Sequence, residues 1–272
     1  MSPISPSVLG AIQTSVTDNL SGYREFHTTS FDTPIWDTDL DGGAPRVIEF
    51  VDRPVIWVNP YNATDGSFAQ QLIVPTNDST AKDALRLSKR FASCLCHLSH
   101  GSEINDISNV SSPTWALAGN KLERTHLNGL DMETLFTALK PHEISDEMWI
   151  ALAYYRLGIN SSTDYYNFLS LYQIVELTGG RNKSAMKTWV NAEAAKSEFA
   201  HLRGLITLRS GQDYYGRLEE TRNICAHVAN TNNPKRQMLY DPDDPDSILQ
   251  VQSDLPLLKK LVEEQLYSEL GV

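Results

Sequence analysis

The apolar residues of the first 75 positions form short runs that are separated by polar turns. Three runs, PRVIEF (45–50), RPVIWVNP (53–60) and QQLIVPT (70–76), are rich in β-branched and aromatic residues and are bounded by Pro, Gly, Asn and Asp. This pattern predicts β-strands. The stretch FDTPIWDTDLDGGAP (31–45) consists of turn-forming residues throughout and predicts a loop.

From residue 79 onward the apolar residues recur at steps of three and four, which is typical of amphipathic helices. A first helix begins after Thr80 and carries an apolar stripe of Ala84, Leu87, Phe91, Cys94, Leu95 and Leu98. Residues 101–130 are polar and irregular, so we expect a long connection with a short strand around Trp115 and Leu117.

The remainder of the chain is predicted to be helical. Helices are expected from residues 131 to 139, 145 to 158, 162 to 179, 182 to 208 and 213 to 229, and a last one from about Asp254 to 270. We therefore expect an α+β fold. Residues 1–139 would form a β-rich domain with one or two helices, and residues 140–272 an all-α bundle.

Composition and cysteine content indicate a protein of the cytoplasm. The chain has 272 residues, of which 41% are hydrophobic and 21% charged. No apolar run reaches the ~18 residues of a membrane span, and the N-terminus lacks the basic start and apolar core of a secretory signal. Only three cysteines occur, which fits a reducing compartment.

Charge is distributed unevenly along the chain. The net charge is −11, which argues against a general nucleic-acid coat protein. Residues 181–236 nevertheless hold ten Lys and Arg against five Asp and Glu, and residues 241–272 hold two against eight. The basic segment could bind a polyanion locally, or it could simply be a solvated face with fluctuating charge.

The cysteines and histidines allow one metal interpretation. Cys94 and His97 within CLCHLSH (94–100) could bind zinc if Cys225 and His227 supplied the second half of the site. The alternative is small buried thiols with histidines at the surface. We favour the alternative, and expect neither a metal nor a cofactor.

The helix predicted over 213–229 carries two different stripes. Its core stripe is expected to contain Tyr214, Leu218, Thr221, Cys225 and Val228. A second stripe, four residues apart, contains Tyr215, Glu219, Asn223 and His227.

Arg222 lies five residues before His227, so about 140° of helix rotation separates their side chains. A second copy of the helix, related by a two-fold axis, would bring two arginines and two histidines into one cleft.

Such a cleft would suit attack on a phosphodiester. Histidine titrates near neutral pH and can transfer protons, and arginine binds phosphate oxygens and stabilises developing charge. The 2′-hydroxyl of RNA is a built-in nucleophile, so no metal is required. The alternative is that Arg222 pairs with Glu219 or Glu220 and that His227 caps carbonyls at the helix end.

Arg222-Asn223 followed by His227 resembles the R-N-x3-H form of the motif of HEPN domains, and YYNFLSLYQIVEL (165–177) resembles the long helix of the HEPN-like MauJ proteins of methylamine utilisation. The resemblance covers residues 140–272. It implies a homodimeric HEPN-like bundle. Many HEPN domains are metal-independent endoribonucleases of toxin–antitoxin or phage-defence systems, and others are inactive binding modules.

The resemblance also implies roles for individual residues. His227 would be the acid–base residue, Arg222 the phosphate ligand and Asn223 its polar support, with Glu176 and Glu219 as further candidates. RNA, such as tRNA or mRNA, would be the substrate, and an antitoxin or defence protein a possible partner. The alternative function is an inactive HEPN-like sensor, binding module or accessory protein. Residues 1–139 show no family motif and would sense a trigger, hold a partner or cover the bundle.

Overall fold

The computed structural model describes residues 25–32, 35–37, 46–58, 61–63, 66–68, 70–76, 81–101, 103–112, 128–179, 182–226 and 245–271. The chain divides into two compact units, Met1–Ile144 and Ser145–Val272. All the described strands belong to the first unit, whereas the second is helical wherever regular structure is described. The predicted α+β class is confirmed.

The first unit is built on a five-stranded sheet in the order β3-β4-β7-β1-β8, in which neighbouring strands run antiparallel. Two smaller pairs, parallel β2-β9 and antiparallel β5-β6, accompany it. The strands are β1 Glu25–Asp32, β2 Ile35–Asp37, β3 Arg46–Glu49, β4 Pro54–Val58, β5 Tyr61–Ala63, β6 Gly66–Phe68, β7 Gln70–Thr76, β8 Asn105–Ser112 and β9 Asn128–Leu130.

The predicted strands correspond to β3, β4 and β7, but two predictions for the segments around them are wrong. The predicted loop over 31–45 contains β2, which pairs with β9. The predicted connection over 101–130 contains β8, which pairs with β1. The prediction around Trp115 and Leu117 lies outside the described residues.

The core of the first unit lies between the sheet and helix α1, Ala81–Leu98, which packs on β7, β1 and β8. Phe91 of α1 is fully buried, and its ring centroid lies 5.5 Å from that of Trp57 in β4 and 5.1 Å from that of Phe50. Helix α2, Met132–Leu139, adds Phe136 at 4.9 Å from Phe91. Aromatic pairs at such distances stabilise beyond the area they bury.

The second unit contains helices α3 Asp146–Ile159, α4 Asp164–Thr178, α5 Lys183–Ala195, α6 Ala200–Arg203, α7 Tyr214–Ala226 and α8 Pro245–Leu270. Side chains of Ser145, Thr163 and Asn182 cap α3, α4 and α5 by accepting backbone N–H groups of the first turn. Helix α4 packs against α3, α7 and α8, so it is central to this unit. No described helix is long and apolar enough to cross a membrane.

Two predicted helix boundaries are wrong. The helix expected over 182–208 ends at Ala195, because Lys196 is extended (φ −59°, ψ 150°), and a 3₁₀ turn and the short α6 follow. The last helix begins at Pro245 rather than near Asp254 and continues through Pro256. Proline at the first helical position costs little, and the buried Val251, before Pro256, and Leu257, after it, hold the helix together.

Candidate functional site

Helix α7 buries most of the predicted core stripe, but with Tyr215 in place of Tyr214 at its start. Leu218, Thr221 and Cys225 are buried as expected, but Tyr215 is only 3% exposed and Tyr214 is partly exposed. The backbone N–H of Tyr215 donates to Asn191 Oδ1 of α5 at 3.2 Å. Along the second stripe exposure therefore rises from the buried Tyr215 through the partly exposed Glu219 to the exposed Asn223.

A buried polar network joins α7 to α8. Arg217 Nε donates to both carboxylate oxygens of Asp254, at 3.1 and 2.8 Å. Thr221 Oγ1 donates to Asp254 Oδ2 at 2.5 Å and accepts from Gln250 Nε2 at 2.7 Å. Burial raises the pKa of Asp254, and the bonds from Thr221 and Arg217 oppose that rise. The network holds α7, the helix that carries Arg222, at a defined position along α8.

Sequence reasoning missed this network, although a signal exists. Arg217 and Thr221 are four residues apart, and so are Gln250 and Asp254. Each pair therefore lies on one helix face, and matched polar pairs on two neighbouring helices are a recognisable pattern.

Arg222 is held by three groups at the surface of the second unit. Its Nη2 bonds Glu176 Oε1 of α4 at 3.1 Å, and its Nη1 donates to Asn223 Oδ1 at 3.3 Å. The guanidinium carbon lies 6.0 Å from the centroid of the Tyr172 ring, within cation–π range. Arg222 Nε is buried and has no hydrogen-bond partner among the described residues. The structure thus brings together Arg222, Asn223 and Glu176.

Two tyrosines, Tyr172 and Tyr215, lie next to the Glu176–Arg222 ion pair. The side chains of Tyr172 and Tyr215 are hydrogen-bonded, and burial raises the pKa of Tyr172, with Tyr215, Glu219 and Glu176 adding to the rise. Gln173 Nε2 donates to the second carboxylate oxygen of Glu176 at 3.2 Å. We call Tyr172, Glu176, Tyr215, Glu219, Arg222 and Asn223 the Arg222 cluster.

The alternative interpretation of Arg222, that it pairs with a nearby glutamate, is correct, but the glutamate is not one of the two that were expected. Arg222 pairs with a carboxylate, but with Glu176 rather than Glu219 or Glu220. Glu219 pairs with Lys183, and Glu220 pairs with Arg209 at 2.8 Å. His227 lies outside the described residues, whose α7 part ends at Ala226.

The described cations of the basic segment are already paired. Arg203 Nη1 donates to the carbonyl oxygens of Ala194 and Lys196 at the end of α5. Arg181, Lys235 and Arg236 lie outside the described residues. In the described part, side-chain ion pairs join Lys183 to Glu219, Lys187 to Asp213, Lys196 to Glu193, Arg209 to Glu220, Arg217 to Asp254 and Arg222 to Glu176.

Three residues of the zinc interpretation are described, and they are buried and divided between the units; the fourth, His227, lies outside the described residues. Cys94 and His97 belong to the first unit and Cys225 to the second, and all three are buried. His97 was expected at the surface; burial lowers its pKa to about 4, with a contribution from His100. Burial raises the pKa of the Cys94 thiol. No metal-binding group of three or more His, Cys, Asp or Glu occurs among the described residues.

Comparison with known proteins gives one family. No curated protein and no solved structure matches the chain. The family model of the methylamine utilization protein MauJ matches residues 151–265. The matched segment runs from α3 into α8 and includes Glu176, Arg222, Asn223 and His227. Residues 151–265 are therefore similar to the MauJ family.

Proposed function

We propose that the second unit is a HEPN-type, metal-independent endoribonuclease whose site is composed of Arg222, Asn223 and His227 from two copies of the chain. The observation that carries the proposal is the position of Arg222. It lies at the surface, 27% exposed, with its guanidinium against Tyr172 and its Nη1 bonded to Asn223. The similarity of residues 151–265 to MauJ adds support.

The chemistry assigns one role to each residue. The imidazole of His227 takes the proton of the RNA 2′-hydroxyl, whose oxygen then attacks the adjacent phosphorus. The bond from phosphorus to the 5′-oxygen breaks, and that oxygen receives a proton from an imidazole. The products are a 2′,3′-cyclic phosphate and a 5′-hydroxyl. Arg222 stabilises the charge that develops on the phosphoryl oxygens.

Asn223 has a more specific role in this proposal than the sequence indicated. The side-chain oxygen of Asn223 accepts a hydrogen bond from Arg222 Nη1 at 3.3 Å. The main role of Asn223 is therefore to orient the arginine rather than to contact the phosphate. Because Arg222 and His227 are separated by about 140° on one helix, the imidazole that serves a given arginine comes from the second copy. We therefore expect a homodimer in solution.

The biological setting that we propose is a toxin–antitoxin or phage-defence system. An antitoxin or defence protein would then be the partner. The substrate would be cellular or phage RNA, including tRNA and mRNA.

The test is RNA cleavage by the purified full-length chain in the presence of a chelator. We expect wild type to cleave and His227→Ala to lose at least about 100-fold in rate, as removal of an acid–base group does. His201→Ala is the matched control, because His201 is an exposed histidine on α6 and not a member of the Arg222 cluster. Cleavage that persists in His227→Ala would overturn the assignment.

A second function is favoured by one observation. The charge of Arg222 is already paired with Glu176, as expected of an inactive module that keeps the fold without turnover. The MauJ family description names methylamine utilization, so an accessory or sensor role in such a system is the corresponding proposal. A purified chain that binds a partner protein but leaves RNA intact, with chelator and with added metal, would favour it.

A further inference from the structure

The carboxylate of Glu176 lies where an anionic ligand of Arg222 would bind. Glu176 Oε1 is 3.1 Å from Arg222 Nη2, which is within hydrogen-bonding distance but longer than the about 2.7–2.9 Å of a strong charge-assisted bond. Gln173 Nε2 donates to the other carboxylate oxygen at 3.2 Å, which orients the carboxylate toward Arg222. Arginine presents the same donors to carboxylates and to phosphates.

The Glu176–Arg222 ion pair can open so that another anion takes the place of the Glu176 carboxylate. The side chain of Glu176 is 34% exposed and that of Arg222 is 27% exposed, so solvent reaches both partners. Glu176 engages only one of the two donors, Nε and Nη2, on that edge of the guanidinium, and Nε has no partner among the described residues. An oxyanion with several oxygens could use both donors once the carboxylate has moved.

We infer that Glu176 is an internal competitor for an oxyanion site on Arg222, and that a phosphate or phosphodiester group binds by displacing it. The inference rests on the proposed function in taking Arg222 as the phosphate ligand. The ligand can bind Arg222 only after the ion pair with Glu176 has broken. Helix α4, which carries Glu176, would therefore regulate this site. Exposed ion pairs are weak, so loss of the carboxylate should tighten binding about two- to fivefold.

Glu220 provides a matched control for this competition. It lies on α7, two residues before Arg222 and outside the Arg222 cluster, and its neutralisation changes the net charge by the same amount. It pairs with Arg209 rather than with Arg222. A general electrostatic effect would therefore appear equally at both glutamates, whereas competition would appear at Glu176 alone.

The experiment measures binding of two probes to the full-length chain by titration calorimetry. The probes are inorganic phosphate and a 2′-O-methyl RNA oligonucleotide, which lacks the nucleophile and cannot be cleaved. We expect Glu176→Gln to bind about two- to fivefold more tightly than wild type, and Glu220→Gln to bind as wild type. Arg222→Ala should lose binding, and Glu176→Gln combined with Arg222→Ala should behave as Arg222→Ala alone.

Several outcomes would overturn the inference: unchanged or weaker binding by Glu176→Gln, an equal gain in Glu220→Gln, or no binding by any variant. A gain with both probes identifies phosphate as sufficient, and a gain with the oligonucleotide alone identifies nucleic acid. Glu176→Asp keeps the charge but withdraws the carboxylate, so it should also tighten binding if Glu176→Gln misfolds. Because the oligonucleotide resists cleavage, this result is independent of whether the chain is a nuclease.

Discussion

Removing the Asp254 carboxylate would leave a buried arginine without its counter-charge. Asp254 is fully buried and accepts from Arg217, Thr221 and Ser253, and Arg217 itself is only 8% exposed. Breaking a buried ion pair by removing one partner typically costs about 3–5 kcal/mol. We expect Asp254→Ala to lower the free energy of unfolding by that amount, and Asp254→Asn, which keeps the shape and part of the hydrogen bonding, by less.

The assay is urea unfolding of the full-length chain at pH 7. The control is Asp246→Asn, an exposed aspartate of the same helix, which should cost under about 1 kcal/mol. Replacing both charges, as in Arg217→Met with Asp254→Leu, should recover much of the loss because no unpaired charge remains. A cost below about 1 kcal/mol for Asp254→Ala, or a double variant as unstable as the sum of the single variants, would refute the reasoning.

The burial of His97 and the close packing at Gly179 each give a further stability prediction. The pKa of His97 is lowered from 6.5 to about 4, so the unfolded chain binds more protons between these values, and stability falls by about 3 kcal/mol as pH drops from 6.5 through 4. His97→Leu should flatten that dependence in urea unfolding measured at each pH, and His142→Ala, at an exposed histidine, should not. Gly179→Ala should cost about 1–3 kcal/mol in the same assay, because an added Cβ would lie 2.6 Å from the Val175 carbonyl oxygen. Gly204→Ala, whose nearest such neighbour is 3.3 Å away, should cost less than Gly179→Ala, and equal losses would contradict the argument.

Strands β3, β4 and β7 could be predicted because their residues are apolar and bounded by turns, but β8 could not. Its sequence is polar, and Ile107 falls at a register shift, since Ser30 faces Ser108 and Phe31 faces Asp106. A bulge of this kind removes the two-residue alternation by which a strand is recognised. Pairing with a distant strand, rather than local pattern, forms β8.

In the candidate site, helix positions could be predicted and partners could not. The position of Glu176 on the edge of the apolar face of α4 and that of Arg222 on α7 follow from helical spacing. Their ion pair joins residues 46 positions apart, which depends on how two helices pack. The same holds for Tyr214 and Tyr215, since two adjacent tyrosines give no local reason to bury one rather than the other.

The central claim is that an arginine and a histidine from different copies of α7 act on one phosphodiester. The most direct measurement mixes purified Arg222→Ala and His227→Ala chains, each inactive alone, and follows RNA cleavage in chelator after subunit exchange. Mixed dimers carry one intact guanidinium and one intact imidazole on different copies, so we predict that activity returns well above either variant alone. Mixtures that exchange subunits but stay inactive would contradict the composite site.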